Sequence, residues 1–453
     1  MFVNDTIAAI STSMGAGAIA IVRMSGFDSI NIVDKVFDGK DLKTVESHTI
    51  NYGYIVDGSN IIDEVLVSIM KAPRTATMED VVEINCHGGV ATTNKILELL
   101  LINGARLAQP GEFTKRAFLN GRINLLEAEA VMDLVNSKTE SARKFSINHA
   151  TGKFSDIIRL FRQRLLELLA NIEVNIDYPE YEDIEVVTIE DIKKHIKIMR
   201  QSLKSIVDES ENGQLIKNGI KVAIVGRPNV GKSSLLNRLL EEDKAIVTDV
   251  AGTTRDIVEG SITIGGILLN LVDTAGIRNT NDVVEKFGVE KSIKEMESAD
   301  LVILVLNNNE ELIEEDRILL DKVGEYKYIT VINKNDLDSK LNVEELDSEN
   351  VIFTNTNSYS GIDSLKNKII EIFKLDELKE KDYNYFANVR QISLAKDALS
   401  TLFDVEKGIE DEMPVDMIGI DIKKIWTLLG EILGESYDEE LIDQLFSQFC
   451  LGK

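Results

Sequence analysis

The chain has 453 residues, with 44% apolar and 28% charged residues, a balance that excludes a disordered, collagenous or disulfide-framework chain and suggests about three domains at ~150 residues each. Two cysteines, Cys86 and Cys450, lie far apart and form no metal-ligand spacing, so a cytosolic, reducing home is expected. Fifty Lys and Arg against 77 Asp and Glu give a net charge of −27, so any nucleic acid must meet a local basic patch or be held mainly by a partner.

In chain order, no basic stretch precedes the first apolar residues, so the start does not read as a secretory signal. Residues 1 to about 120 mix short β-rich runs (Ala18–Val22, Glu64–Met70, Val81–Asn85) with Gly and Pro punctuation, which predicts an α+β domain. From about Asn124 to Gln214 the pattern is helical. Ile189, Ile192, Ile196, Met199, Leu203 and Ile206 form one apolar stripe at helical spacing, with Thr188 and Asp191 suited to its N-terminal cap. Between helices, residues 177–185 hold five acids and no base, which reads as a solvated loop. From Lys221 strand-like runs (Lys221–Val225, Ile267–Val272, Leu301–Leu306, Tyr328–Ile332, Asn350–Thr354) alternate with helical stretches, the pattern of a doubly wound α/β unit. Leu301–Leu306 is also the longest such apolar run, far short of the ~20 residues of a membrane span. Helices return after about Lys374, including Ile420–Leu433. The economical arrangement is an α/β domain inserted into one helical domain, with expected boundaries at 1–121, 122–217, 218–376 and 377–453.

The inserted unit carries the chemistry. Gly226-Arg227-Pro228-Asn229-Val230-Gly231-Lys232-Ser233 fits G-x-x-x-x-G-K-[ST] between a predicted strand and a helix that opens at Ser234. Its backbone N–H groups can close around phosphate oxygens at the positive end of that helix. Lys232 would reach the β- and γ-phosphates and Ser233 would place a hydroxyl on Mg²⁺. Asp273-Thr274-Ala275-Gly276 ends a strand, so Asp273 can hold the metal's water shell and Gly276 can sense the γ-phosphate. Asn333-Lys334-Asn335-Asp336 ends another. A carboxylate such as Asp336 accepts from guanine N1–H and N2–H₂, whereas adenine offers it an acceptor, so the base is guanine. Ile277 stands where many small GTPases place a water-orienting Gln. Glu285, in the same stretch, is the alternative.

With Gly252-Thr253-Thr254-Arg255-Asp256 between them, these elements resemble the translation-factor-related GTPases. Thr254 would be the threonine that closes on Mg²⁺. The fifth motif of that class, Ser-Ala-Lys, is replaced by Asn355-Thr356-Asn357, where a backbone N–H could still contact O6. Over the whole chain the sequence resembles the tRNA uridine modification GTPases. The likeness is carried by residues 5–10, 21–26, 110–121 and 246–256, the Pro-Asn pair of the phosphate loop, and Cys450-Leu451-Gly452-Lys453.

That resemblance implies a multidomain α/β fold: an N-terminal α+β folate-binding and dimerisation domain, a helical domain and an inserted P-loop GTPase domain. It implies a homodimer that works with an FAD-dependent partner, MnmG (GidA), in a heterotetramer or larger complex. The pair would add an aminomethyl or carboxymethylaminomethyl group to C5 of the wobble uridine of tRNA. A tetrahydrofolate derivative (5-formyl- or methylene-tetrahydrofolate) would donate the carbon, with FAD on the partner and tRNA bound mainly through it. Hydrolysis would be K⁺-activated, with Asn229, Thr248, Val250 and Thr253 as K⁺ ligands and Glu285 orienting the water. The GTP contacts would run over residues 229–234, through Thr248, Asp249, Val250, Ala251, Gly252, Thr253 and Thr254, and through Asp273, Thr274, Ala275 and Gly276. Asn333, Lys334, Asp336, Asn355, Thr356 and Asn357 would hold the base. Folate would meet Arg23, Glu83, Arg122 and Lys453.

Three features remain. Cys450, beside Phe449 and Leu451, reads as packing, with a nucleophile near the folate as the alternative. Cys86 reads as structural, because adjacent strand residues such as His87 face opposite sides. Arg143, Lys144, Lys153, Arg159, Arg162 and Arg164 form a basic cluster, either a solvated helix face or a contact for tRNA or the partner. The competing functional reading is a regulatory or ribosome-assembly GTPase switch, which the nucleotide motifs alone do not separate from the enzyme.

Overall fold

The computed structural model describes residues 5–177, 189–242, 260–273, 292–375, 383–436 and 439–452. The chain forms two compact units, each discontinuous in sequence: Met1–Met132, His149–Lys197 and Asp397–Lys453 make the first, Asp133–Asn148 and Ile198–Lys396 the second.

The first unit opens with strands β1 (Ile7–Ile10), β2 (Gly17–Ser25), β3 (Phe37–Asp38), β4 (Thr49–Asp57), β5 (Asn60–Met70), β6 (Val81–Gly88) and β7 (Arg106–Leu107), in the order β3-β4-β5-β6-β2-β1-β7. All pairings are antiparallel except β1 with β7. Alternation sends Val22, Met24, Val65, Val67, Ile69, Val82 and Ile84 into one core with Ile96 and Leu100 of the helix Val90–Ile102. The three expected strand runs fall on β2, β5 and β6. The remaining helices of the unit bring distant segments together. The helix Glu439–Ser447 contributes Ile442 and Phe446, which join Phe118, Leu125, Ala128 and Phe449 in a second core.

The second unit holds β8 (Ile220–Val225), β9 (Gly260–Ile264), β10 (Ile267–Asp273), β11 (Leu301–Asn307), β12 (Tyr328–Asn333) and β13 (Val351–Phe353), ordered β13-β12-β11-β8-β10-β9. Every pairing is parallel except β9 with β10. All seven residues of β11 are buried, as a parallel strand covered on both faces requires. Core residues lie on both faces of the sheet. One of these layers includes Phe145, Ile216 and Tyr385; Tyr385 stacks on Phe145 at 5.5 Å and Asn148 Nδ2 donates to the Tyr383 carbonyl at 2.9 Å.

The expected amphipathic helix spans Ile189–Asp208, with Ile192, Ile196, Met199 and Leu203 buried and Ile189 exposed at its start. Thr188, and the acidic run after Asp177, lie outside the described residues. No helix among the described residues is long and apolar enough to cross a membrane.

Candidate nucleotide and N-terminal sites

The strand order reverses beside β8, the position where open α/β sheets bind ligands at the carboxyl ends of their strands. The glycine-rich loop leaves the end of β8 and enters the helix Lys232–Glu242. Asn229 sits in the left-handed region at φ 64°. Gly231 has φ 104°, and a Cβ there would lie 2.1 Å from Asn333 Nδ2, so only glycine fits. Lys232 is buried, and its Nζ donates to the carbonyls of Gly226 at 2.7 Å and Arg227 at 2.8 Å, drawing the loop into a ring. Ser233 and Ser234 are exposed at the helix start.

The Asn333-Lys334-Asn335-Asp336 motif is tied directly to this loop. Asn333 is buried at the end of β12; its Nδ2 donates to the Val230 carbonyl at 3.0 Å, and its Oδ1 accepts from Thr354 Oγ1 at 3.3 Å. Lys334 Nζ donates to the Asn229 carbonyl at 3.0 Å. The Asn335 N–H donates to the Thr354 carbonyl at 3.1 Å, clipping the turn that bears exposed Asp336 to the start of the Asn355–Asn357 loop. Asn333 and Lys334 therefore serve as braces, a role the motif spacing alone does not reveal.

Two further anchors were not foreseen. Arg227 Nε donates to Asp316 at 2.8 Å and its terminal nitrogen to Glu310 at 2.9 Å; Asp316 is buried and also accepts from the Ile313 N–H, capping the helix Glu314–Val323. Arg238 bonds the Thr356 carbonyl at 2.6 Å. The sequence assigns neither arginine a role, and only the fold brings their partners near.

Asp273 ends β10 opposite Ile224 of β8, which sets its backbone two residues from the phosphate loop. The remaining expected nucleotide, K⁺ and water-orienting positions (Thr248, Asp249, Val250, Ala251, Gly252, Thr253, Thr254, Thr274, Ala275, Gly276, Glu285, with Ile277) lie outside the described residues, as does Lys453. Among the described residues no group of three or more His, Cys, Asp or Glu could hold a metal.

In the first unit, Arg23 and Glu83 are register partners on β2 and β6 and are joined at 2.8 Å. Arg23 also donates to the Gly452 carbonyl at 3.4 Å, as does Ser11 Oγ at 3.0 Å. Gly452 has φ 85°, and a Cβ on it would lie 2.4 Å from the Ile10 carbonyl. The Gly111 N–H donates to the Cys450 carbonyl at 3.3 Å. Residues 450–452 are thus seated beside Arg23 and Glu83. Arg122 is held on another segment, donating to the Ala76 carbonyl at 2.8 Å.

Two expectations change. Cys450 is exposed, while Phe449 takes the buried position and Leu451 is also exposed, so Cys450 is not core packing. Cys86 is buried, as expected, with Sγ 3.4 Å from the Ala20 carbonyl, and burial pushes its thiol pKa up. The basic cluster is not wholly a solvent-facing one: Arg143 and Lys144 belong to the second unit and the rest to the first, and one of the six is buried. Arg162 is buried: its guanidinium lies 4.2 Å over the Trp426 ring, donates to the Trp426 carbonyl at 3.1 Å and pairs with Glu435. Arg159 is half exposed and bonds Asp156 and Glu127.

A doubly wound sheet with a lysine-closed phosphate loop braced by an Asn-Lys-x-Asp turn defines the class of P-loop GTPases, here in a multidomain chain. The profile of the GTP-binding protein TrmE N-terminus matches residues 6–122 and that of the MnmE helical domain matches residues 125–450. The tRNA modification GTPase MnmE of Streptococcus thermophilus is 53% identical over 450 residues, covering 99% of this chain and 98% of that protein. Those of Listeria innocua and Staphylococcus aureus are 51% and 50% identical over 454 and 456 residues, covering 99% of both chains in each case. The chain belongs to the MnmE family of tRNA modification GTPases.

Proposed function

We propose that the protein is a K⁺-activated GTP hydrolase. With an FAD-dependent partner of the MnmG (GidA) type, it adds an aminomethyl or carboxymethylaminomethyl group to C5 of the tRNA wobble uridine, the carbon coming from a tetrahydrofolate derivative. Family membership supports the class. The observation that carries the nucleotide reading is the bond from Asn333 to the Val230 carbonyl, which locks the guanine-reading turn to the phosphate loop.

In this reading the loop N–H groups and Lys232 bind the phosphates, and Asp336 accepts from guanine N1–H and N2–H₂. Ser233 and Thr254 would hold Mg²⁺, and Asn229, Thr248, Val250 and Thr253 would hold K⁺ through hard oxygen donors. Such cations supply positive charge beside the phosphates, the electrostatic help an arginine finger gives elsewhere. Glu285 orients the attacking water, a task Ile277 has no polar group to perform. Arg23, Glu83, Arg122 and Lys453 bind the folate: Glu83 pairs with pterin amino and ring N–H groups and the cations with its glutamate tail. The seat of residues 450–452 against Arg23 supports a composite site there. We assign 1–121 to folate binding and homodimerisation, 122–217 and 377–453 to the helical domain, and 218–376 to the GTPase domain, in a cytoplasmic protein.

The test is GTP turnover by the full chain in KCl and in NaCl at matched ionic strength, with Glu285→Ala alongside. A strong K⁺ preference, and turnover that collapses in the variant, are expected. Equal, slow rates in both salts would falsify the cation site and favour a regulatory switch.

A further inference from the structure

The loop that replaces Ser-Ala-Lys is held by residues outside any nucleotide motif. It leaves β13 and is closed by a bridge between Asn355 and Ser360, with the Asn355 N–H donating to the Ser360 carbonyl at 2.9 Å. Arg238 lies on the helix that begins at Lys232 of the phosphate loop. Its Nε donates to the Thr356 carbonyl at 2.6 Å, and its terminal nitrogen reaches the Tyr359 hydroxyl at 2.5 Å and Glu241 at 2.6 Å. The guanidinium stacks 4.2 Å over the Tyr359 ring, whose hydroxyl also donates to Glu241 at 3.2 Å. The Asn357 N–H donates to Asn355 Oδ1 at 2.9 Å. The peptide joining Thr356 to Asn357 is therefore fixed at both its carbonyl and its N–H. Within the loop the N–H groups of Asn355, Asn357 and Ser358 all have acceptors, whereas the Thr356 N–H has none among the described residues.

We propose that Arg238, with Tyr359 and Glu241, forms a specificity-positioning clasp that aims the Thr356 N–H at guanine O6. The clasp supplies, from the helix of the phosphate loop, the rigidity that Ser-Ala-Lys supplies in related GTPases. A bidentate, stacked guanidinium suits this task and a lysine ammonium does not, because only the former is a planar fork. Arg238 is a positioning residue: by holding the Thr356 carbonyl it fixes the residue whose N–H, on the preceding peptide, faces the base. This inference rests on the guanine-nucleotide reading above.

The experiment measures the affinity of the full chain for GDP, 6-thio-GDP and IDP in wild type, Arg238→Ala, Arg238→Lys and Tyr359→Leu. 6-Thio-GDP puts a larger and weaker sulfur acceptor at position 6 and keeps the N1–H and 2-amino donors. IDP keeps O6 and lacks the 2-amino group, so it reports on Asp336 instead. Wild type is expected to prefer GDP over 6-thio-GDP about tenfold, one hydrogen bond's worth. That preference should shrink to about twofold in Arg238→Ala and Arg238→Lys, and fall in Tyr359→Leu at an exposed site where folding is not at stake. The GDP-to-IDP ratio should stay as in wild type. Equal losses for all three nucleotides, or unchanged ratios, would make Arg238 a merely structural tie and overturn the proposal. Wild type that binds GDP without distinguishing 6-thio-GDP overturns the clasp alone. Wild type that binds no GDP overturns the nucleotide reading as well.

Discussion

Asn333 Nδ2 and the Val230 carbonyl, 3.0 Å apart and buried, tie the turn at Asn333–Asp336 to the phosphate loop. Asn333→Ala leaves that carbonyl without its partner, a change of about 1–3 kcal/mol for a buried group. GDP affinity measured by calorimetry is expected to fall about tenfold or more. GMP, which has fewer phosphates for the loop to grip, should lose less. Equal losses for the two ligands would refute the bracing role.

Gly452→Ala places a Cβ 2.4 Å from the Ile10 carbonyl at a backbone φ of 85°, a strained and crowded position. The expected outcome is release of residues 450–452 from Arg23 and Ser11, read as weaker binding of 5-formyltetrahydrofolate. GDP affinity should be unchanged, since the nucleotide motifs belong to the other unit.

The two thiols should separate cleanly. Exposed Cys450 is expected to react with an aromatic disulfide reagent in the native protein, and buried Cys86, its pKa raised by burial, only on unfolding. Two fast thiols would contradict the packing described for β6.

His87 and Asp63 give a pH-dependent pair. The imidazole Nδ1 lies 2.7 Å from Asp63, which also accepts from the His87 N–H at 2.8 Å. The hydrogen bond to Asp63 and its charge raise the His87 pKa above its ordinary 6.5. The pair's contribution is therefore full below about pH 6.5 and lost as pH rises through the raised folded value. Proton NMR titration should show the raised midpoint, and Asp63→Asn should bring it back.

Arg159 and Arg162 are neighbours in sequence with opposite expectations. Arg162→Ala removes stacking on Trp426, a bond to its carbonyl and the Glu435 partner, a loss of about 2–4 kcal/mol by the size of such terms. Arg159→Ala, on a half-exposed side chain, should cost under about 1 kcal/mol. Urea denaturation distinguishes them. The proposed tRNA or partner contact is then tested with Arg159→Glu and Arg164→Glu, where weaker binding with a shallower salt slope is expected.

Much of this was legible in the residues, for reasons that differ by element. The Leu301–Leu306 run reads as a doubly covered parallel strand because no polar residue interrupts it. The phosphate loop reads from glycines whose space is bounded, at Gly231 by Asn333 itself. The antiparallel edge β9 (Gly260–Ile264) was not legible, because its identity comes from pairing with β10. Phe145, Ile216 and Tyr385 lie outside 218–376 yet pack into the core of the α/β sheet; an apolar helix stripe says that a face is buried, not against what. Arg162 and Arg238 were hidden for a related reason. Long charged side chains read as solvent-facing until an aromatic ring and a carbonyl from a distant segment meet them.

The discontinuous first unit sets an order on synthesis. Phe118 and Leu125 leave the ribosome early, but Ile442 and Phe446, which share their core, follow only about 320 residues later. At typical elongation rates of ~5–20 residues per second, that interval is on the order of 15–60 s. For that time an apolar patch on the nascent chain lacks its native cover, and over the same time the whole of the second unit emerges. The growing polypeptide is thus a natural client for chaperones, and slow codons downstream of residue 397 would lengthen its exposure.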